Sequence, residues 1–212
     1  MPRLNRVDPF GDLHAVESRG LFTGNRGCLV DEEGHVVRHH AGSLWITCAL
    51  RHKNWRSPLA APRHWTPLFF LDDAVALAAG HRPCGLCRRD DYDAYKTAVT
   101  YADGLPAPPK AGDLNRRLAK ERLRPGRGLH RANHRRLWTA STDNLPTGTV
   151  ILGPGQTPHL VLEDRLMQFG FPGWTSPAAV PLRHEVTVLT PPTSVAALRH
   201  GFVPVLHPSA TL

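Results

Sequence analysis

No part of this sequence approaches the run of about 18 apolar residues that a membrane-spanning helix needs, which excludes a helical membrane protein. The opening residues lack the apolar core of an export signal and instead carry Arg3, Arg6 and Asp8 among prolines, so a cytoplasmic location is expected. Cysteine is scarce. Four in 212 residues are too few for a disulfide framework, and in a reducing compartment metal binding becomes their leading use. There is no dinucleotide fingerprint and no nucleophile elbow. Gly153-Pro-Gly155 is no phosphate loop, because no lysine follows it and no helix opens there. Internal repeats and low-complexity tracts are missing too, and the length suits one large domain or two small ones.

Acidic residues are nearly absent from one stretch. Between Asp113 and Arg136, nine basic residues (Arg116, Arg117, Lys120, Arg122, Arg124, Arg127, Arg131, Arg135 and Arg136) meet only Asp113 and Glu121, so seven of the eight net positive charges fall there. Eight of the nine are arginine, whose planar donor fork suits phosphate, and this points to a nucleic-acid partner.

Upstream, residues 103–112 hold three prolines and two glycines and read as a linker. The expected organisation is α+β. A small zinc-binding sheet-and-helix domain over residues 1–102 is followed by the linker, a basic helical segment over 113–138, and a β-rich domain over 139–212 forming a small barrel or rolled sheet. The clearest helix is Asp73-Ala-Val-Ala-Leu-Ala-Ala79, with Asp72 as N-cap and Gly80 as a left-handed terminator. Further helices are expected from about Asp90 to Tyr101, from Asp113 to Arg124 ahead of Pro125-Gly126, and from Ser194 to His200. Strands are expected at 44–49, 149–152, 159–162, 165–169 and 185–189, with a hairpin over 27–37 that leaves His39-His40 in an exposed loop.

Cys84-Gly-Leu-Cys87 is the most informative motif. Two thiolates two residues apart can close on one metal when a glycine lets the turn curl, and zinc is the natural occupant. Cys28 and Cys48 would complete a site of four cysteines; His52, four residues after Cys48, is the alternative to Cys28.

Phe69 to Arg89, with its paired phenylalanines, Ala-rich helix ending in Gly80, and Arg82-Pro-Cys-Gly-Leu-Cys87, resembles the metal-binding module of the Ada-type DNA alkylation-repair proteins. The likeness spans about residues 45–89. It implies a zinc site on a small sheet flanked by helices, contact with the DNA backbone, and a role in DNA repair or damage response. The family's first ligand pair is Cys-x3-Cys, whereas this sequence has Cys48-Ala-Leu-Arg-His52; in the family the first of those cysteines accepts a methyl group. Three thiolates and an imidazole would leave Zn²⁺ at −1 and less nucleophilic than four thiolates.

The leading expectation is therefore a zinc-stabilised nucleic-acid-binding protein whose contacts come from Arg82, Arg88, Arg89, Arg116, Arg117, Lys120, Arg131, Arg135 and Arg136. The alternative is an enzyme acting on DNA, either an alkyl acceptor at Cys48 or a nuclease or glycosylase using His134 with His130 on the basic segment. Trp45, Trp55, Trp65, Trp138 and Trp174 are candidates for base stacking, Trp138 foremost because it follows Arg135-Arg136-Leu137.

Overall fold

The computed structural model describes residues 2–53, 61–180 and 183–211; Trp55 lies outside them. Two six-stranded sheets and four helices make an α+β fold. The first sheet is built from short strands, β1 (Arg6–Val7), β2 (Leu13–His14), β3 (Phe22–Asn25), β4 (Ile46–Ala49) and β5 (Leu68–Phe70), and after helix α1 (Asp73–Ala78) from β6 (Arg82–Pro83). Its order is β2-β1-β5-β3-β4-β6. Helices α2 (Arg89–Asp103) and α3 (Ala111–Arg122) follow, joined by the Pro/Gly stretch. The second sheet contains β7 (Trp138–Ser141), β8 (Val150–Leu152), β9 (Pro158–Val161), β10 (Arg165–Gly170), β11 (Gly173–Ala179) and β12 (Glu185–Val188), and α4 (Pro192–Arg199) closes the chain's regular structure. This sheet is open, in the order β11-β10-β9-β8-β12-β7, so no closed barrel forms among the described residues.

Period-two alternation explains why the second sheet's strands look uniformly apolar. Val150, Leu160 and Met167 face one core, while their neighbours Ile151, Val161 and Leu166 face another, so both surfaces are covered. Strands β7 and β11 have no counterpart in the sequence reading. Both are edge strands, and β11 contains Pro177, which only an edge tolerates. The expected hairpin over 27–37 reduces to a single bridge, Val30 to Val36, its turn held by the Asp31 carboxylate accepting the Glu33 and His35 N–H groups.

Every residue of α1 is buried. Its small side chains share a core with β3 and β5 on one side and with Val150, Leu160, Met167 and Trp174 on the other, so segments before and after residues 103–112 pack together. Tyr95 and Val99 of α2 likewise meet Leu114 and Leu118 of α3 and Leu198 of α4, and the Tyr95 hydroxyl lies 2.9 Å from Ser194 Oγ. No helix among the described residues is long and apolar enough to cross a membrane.

The ends of a wholly buried helix cannot turn to water, so their orphan groups must find partners in the protein. At the N-terminus, Asp72 accepts from Val75 N–H (3.0 Å), from Trp174 Nε1 (2.6 Å) and from His207 N–H (3.0 Å). Burial outweighs these bonds and lifts the Asp72 carboxyl to about 6. The folded state thus holds the proton more tightly than an unfolded chain with a carboxyl near ~3.9. Its contribution favours folding most below about pH 4 and diminishes as pH rises towards 6. Urea midpoints measured from pH 4 to 7 should contain that falling component. Asp72→Ala should lack it and, by leaving three buried donors unpaired, should lose about 3 kcal/mol or more throughout.

At the C-terminus of α1 the donors are arginines. Arg135 donates to the carbonyls of Ala78 and Ala79, and Arg122 donates to that of Gly80 (3.0 Å). Gly80 has φ +87°, and a Cβ there would lie 2.8 Å from the Arg122 side chain, so the same glycine ends the helix and admits the arginine. The basic segment is therefore partly an internal cap. After α3 the chain turns extended at Leu123, which bridges to Arg135, and residues 125–133 fold back between them.

Candidate metal centre

β4 and β6 run parallel in the register Ile46 to Arg82 and Thr47 to Pro83. Continuing that register sets Cys48 beside Cys84, whose N–H donates to the Thr47 carbonyl (2.8 Å). The chain then turns back on itself, Arg88 N–H reaching the Cys84 carbonyl (3.1 Å), and delivers Cys87 to the same place. A Cβ on Gly85 would meet the Tyr92 ring at 2.9 Å, so this turn takes no larger residue without displacing that ring. The three sulfur atoms lie within 4.8 Å of one another and can hold a metal ion.

Two flanking arginines fix the knuckle. Arg88 forms a paired bridge to Asp73 of α1 (2.6 and 2.8 Å), donates to Asp91 and Thr47, and lies 3.9 Å over the Phe22 ring. Arg82 donates to Asn115 and to the Pro83 carbonyl and lies over Tyr92. Both are buried and turned into the protein, away from any solvent-borne partner.

The sulfurs share protons unequally. The Cys84 thiol is lowered to about 5, first by the hydrogen bond from Cys48 and then by the N–H groups of Cys87 and Leu86; Leu86 N–H stands 3.4 Å from its sulfur. Cys48 is raised by the same bond and by burial, and Cys87 is raised by burial first. Cys84 is thus the readiest of the three to ligate as a thiolate, and metal binding would release the protons of the thiols it engages.

Neither expected fourth ligand joins this group. Cys28 is half-buried and places its thiol 3.6 Å from the Val30 carbonyl, and His52 also lies outside the cluster. Residues 54–60 contain no cysteine, histidine, aspartate or glutamate. Among the described residues the chain thus brings three sulfurs together without a fourth ligating side chain beside them.

The predicted nucleic-acid contacts separate into two groups. Arg82, Arg88, Arg131 and Arg135 are buried, at most 5% exposed, and their donors are committed largely to carbonyls and carboxylates of the fold. Of the others, Arg89 pairs with Asp93, Arg116 with Asp113, and Arg117 with Asp103 and Glu121. Only Lys120 and Arg136 stay exposed without an acidic partner among the described residues; they lie with Arg124, which the sequence reading did not single out as a contact.

Several other expectations change with the structure. His39 is buried, not exposed, because its ring packs on Trp45 and bonds Arg26 and the Gly11 carbonyl. Trp138 donates to the Thr190 carbonyl and packs in the second core, while Trp45 and Trp174 are wholly buried. His130 approaches Asp12 at 3.6 Å; the His134 ring packs against Gly126, with its Nδ1 unpartnered. A scan of family models and searches of curated proteins and of solved structures found no match to this chain.

Proposed function

We propose that this chain is a zinc-stabilised nucleic-acid-binding protein acting on DNA, with a role in repair or damage response. The observation that carries the metal half is the convergence of Cys48, Cys84 and Cys87. Soft thiolates favour zinc over hard cations, and the fourth position is open to water, to His52 or to Cys28 after a local shift. The likeness of residues 45–89 to the Ada module supports DNA as the partner.

The binding half rests on Lys120, Arg124 and Arg136, three exposed cations with no carboxylate partner among the described residues. Enzymatic alternatives have less support. An alkyl-accepting sulfur must meet a bulky phosphotriester, yet Cys48 is only 7% exposed. A metal nuclease needs free carboxylates beside its histidines; Asp12, 3.6 Å from His130, already accepts from two backbone N–H groups, and no carboxylate contacts His134 among the described residues.

Fluorescence anisotropy with duplexes bearing 5′-hydroxyl ends, titrated across 50–300 mM salt, tests the reading. Affinity should fall steeply with salt, and Lys120→Ala and Arg136→Ala should each reduce the logarithmic slope by about one. Salt-independent binding, or slopes unchanged in both variants, would refute it.

A further inference from the structure

A cleft of about 450 Å³ opens where the turn after α3 faces the loop before β4. His40, Lys120, Arg122, Arg124, Arg131 and Arg136 line it, and no carboxylate does. None of the six takes part in an ion pair among the described residues, unlike Arg89, Arg116 and Arg117 on the neighbouring helices. The volume is in the range of small-ligand sites, roughly 300–1,000 Å³.

The wall of the cleft is continuous with a buried cationic cluster. The guanidinium carbons of Arg122 and Arg26 stand 3.8 and 4.0 Å over the ring of Trp45, and Arg135 lies close enough for its charge to be felt by both. Burial first, and then mutual repulsion, lowers Arg122 to about 8 and Arg26 to about 9, so all remain cationic at neutral pH while destabilising one another. Asp8 and Asp12 are the carboxylates whose charge reaches Arg26 and Arg135; Asp12 accepts from the backbone N–H groups of Arg131 and Ala132, and Asp8 from the Asp12 N–H. Arg131 Nε is buried and has no partner, and the same is true of Arg26 Nη2 and Arg135 Nε. Arg122 belongs both to this cluster and to the cleft wall, so an anion seated in the cleft would relieve the mutual repulsion.

We infer that this cleft is a binding site for a phosphate group, and for a terminal phosphate monoester in preference to a bridging diester. The dianion matches a rim of permanent cations better than a monoanion does, and paired guanidinium and ammonium donors are the usual phosphate recognition set. The site is distinct from the cysteine cluster. None of the three clustered cysteines lines the cleft; Ser43 does, and Cys48 lies five residues further along the chain in β4. The inference deepens the nucleic-acid reading by naming the recognised group, and a free mononucleotide or inorganic phosphate offers the same chemistry.

Isothermal titration calorimetry with inorganic phosphate, at ionic strength held constant with chloride, is the direct test. The wild type should bind one phosphate per chain. The Lys120→Ala/Arg124→Ala/Arg136→Ala variant, which alters exposed side chains only, should bind about 1,000-fold more weakly, each of the three lost cations counting for about tenfold. Its unchanged circular dichroism would separate loss of the site from loss of the fold. A second arm compares 5′-phosphorylated with 5′-hydroxyl oligonucleotides of one sequence. Preference for the phosphorylated end, displaced by inorganic phosphate and lost in the triple variant, assigns the cleft to nucleic-acid termini. Phosphate binding with no oligonucleotide binding keeps the site and defeats the nucleic-acid reading. Oligonucleotide binding without phosphate binding or end preference defeats the inference and leaves that reading standing.

Discussion

Asp73→Ala should lose about 3 kcal/mol of folding stability, because it removes the buried carboxylate that holds both Nη atoms of Arg88 and leaves the guanidinium only the part-exposed Asp91 at its Nε. In a chain of this size that is a fall of about 10 °C in Tm. The effect is large for a specific reason. Both partners are almost fully buried, the bridge is bidentate, and Asp73 also accepts the Val205 N–H (3.0 Å), so truncation leaves several donors unpaired at once. Arg88→Met should be milder, since its long apolar chain can still cover Phe22. Combining it with Asp73→Ala should cost less than the sum of the two singles, with a coupling of about 2 kcal/mol or more. Thermal melts of the four proteins measure this. An Asp73→Ala chain as stable as the wild type would show that the bridge does not hold the knuckle to α1.

Removing the metal should have the second large effect. Ligand that binds only the folded state adds stability with its saturation, about 4 kcal/mol when free metal stands at 1,000 times its Kd, and chelation should remove that amount. The stripped protein should remain folded, unlike a classical zinc finger, because the knuckle is also clamped by Arg82 and Arg88 and backed by a continuous core. Loosening should be local. Hydrogen exchange is expected to quicken at residues 84–88 while α1 keeps its protection. Cys84→Ser, which keeps size but removes the thiolate, should reproduce the chelated state and should not respond to added zinc. Full unfolding on chelation would show that the clamps contribute less than their geometry implies.

How far the sequence disclosed this molecule depends on which physical signal each part uses. Helix α1 was legible in full, since Asp72, an unbroken run of helix formers and Gly80 specify start, body and end. The strands from β8 to β10 and β12 were legible from apolar β-branched runs. The cysteine knuckle was legible because its spacing is a local property, and Cys48 could be joined to it by ligand count alone. The choice of fourth ligand was not, because it depends on where the loops after β3 and β4 travel.

The charge run reads from sequence as a phosphate-facing segment that includes Arg135, whereas in the fold Arg122 and Arg135 satisfy the carbonyls at the end of a helix that water cannot reach. A signal for this was present. After Asp73, Ala74-Val-Ala-Leu-Ala-Ala79 is apolar on every side, which marks a helix buried all round, and such a helix requires donors at its C-terminus. Uncertainty about which arginines supply them follows from long-range packing that no local pattern encodes. The cleft was partly legible, because the charge count located the segment but could not tell paired cations from unpaired ones.

Metal content of the purified protein, measured by inductively coupled plasma mass spectrometry on wild type and on Cys84→Ser and scaled to chain concentration, tests the centre of this account. The proposed zinc site predicts about one zinc per wild-type chain and close to none in the variant. Folded wild-type protein that carries no transition metal, and takes up none when zinc is supplied under reducing conditions, would contradict it.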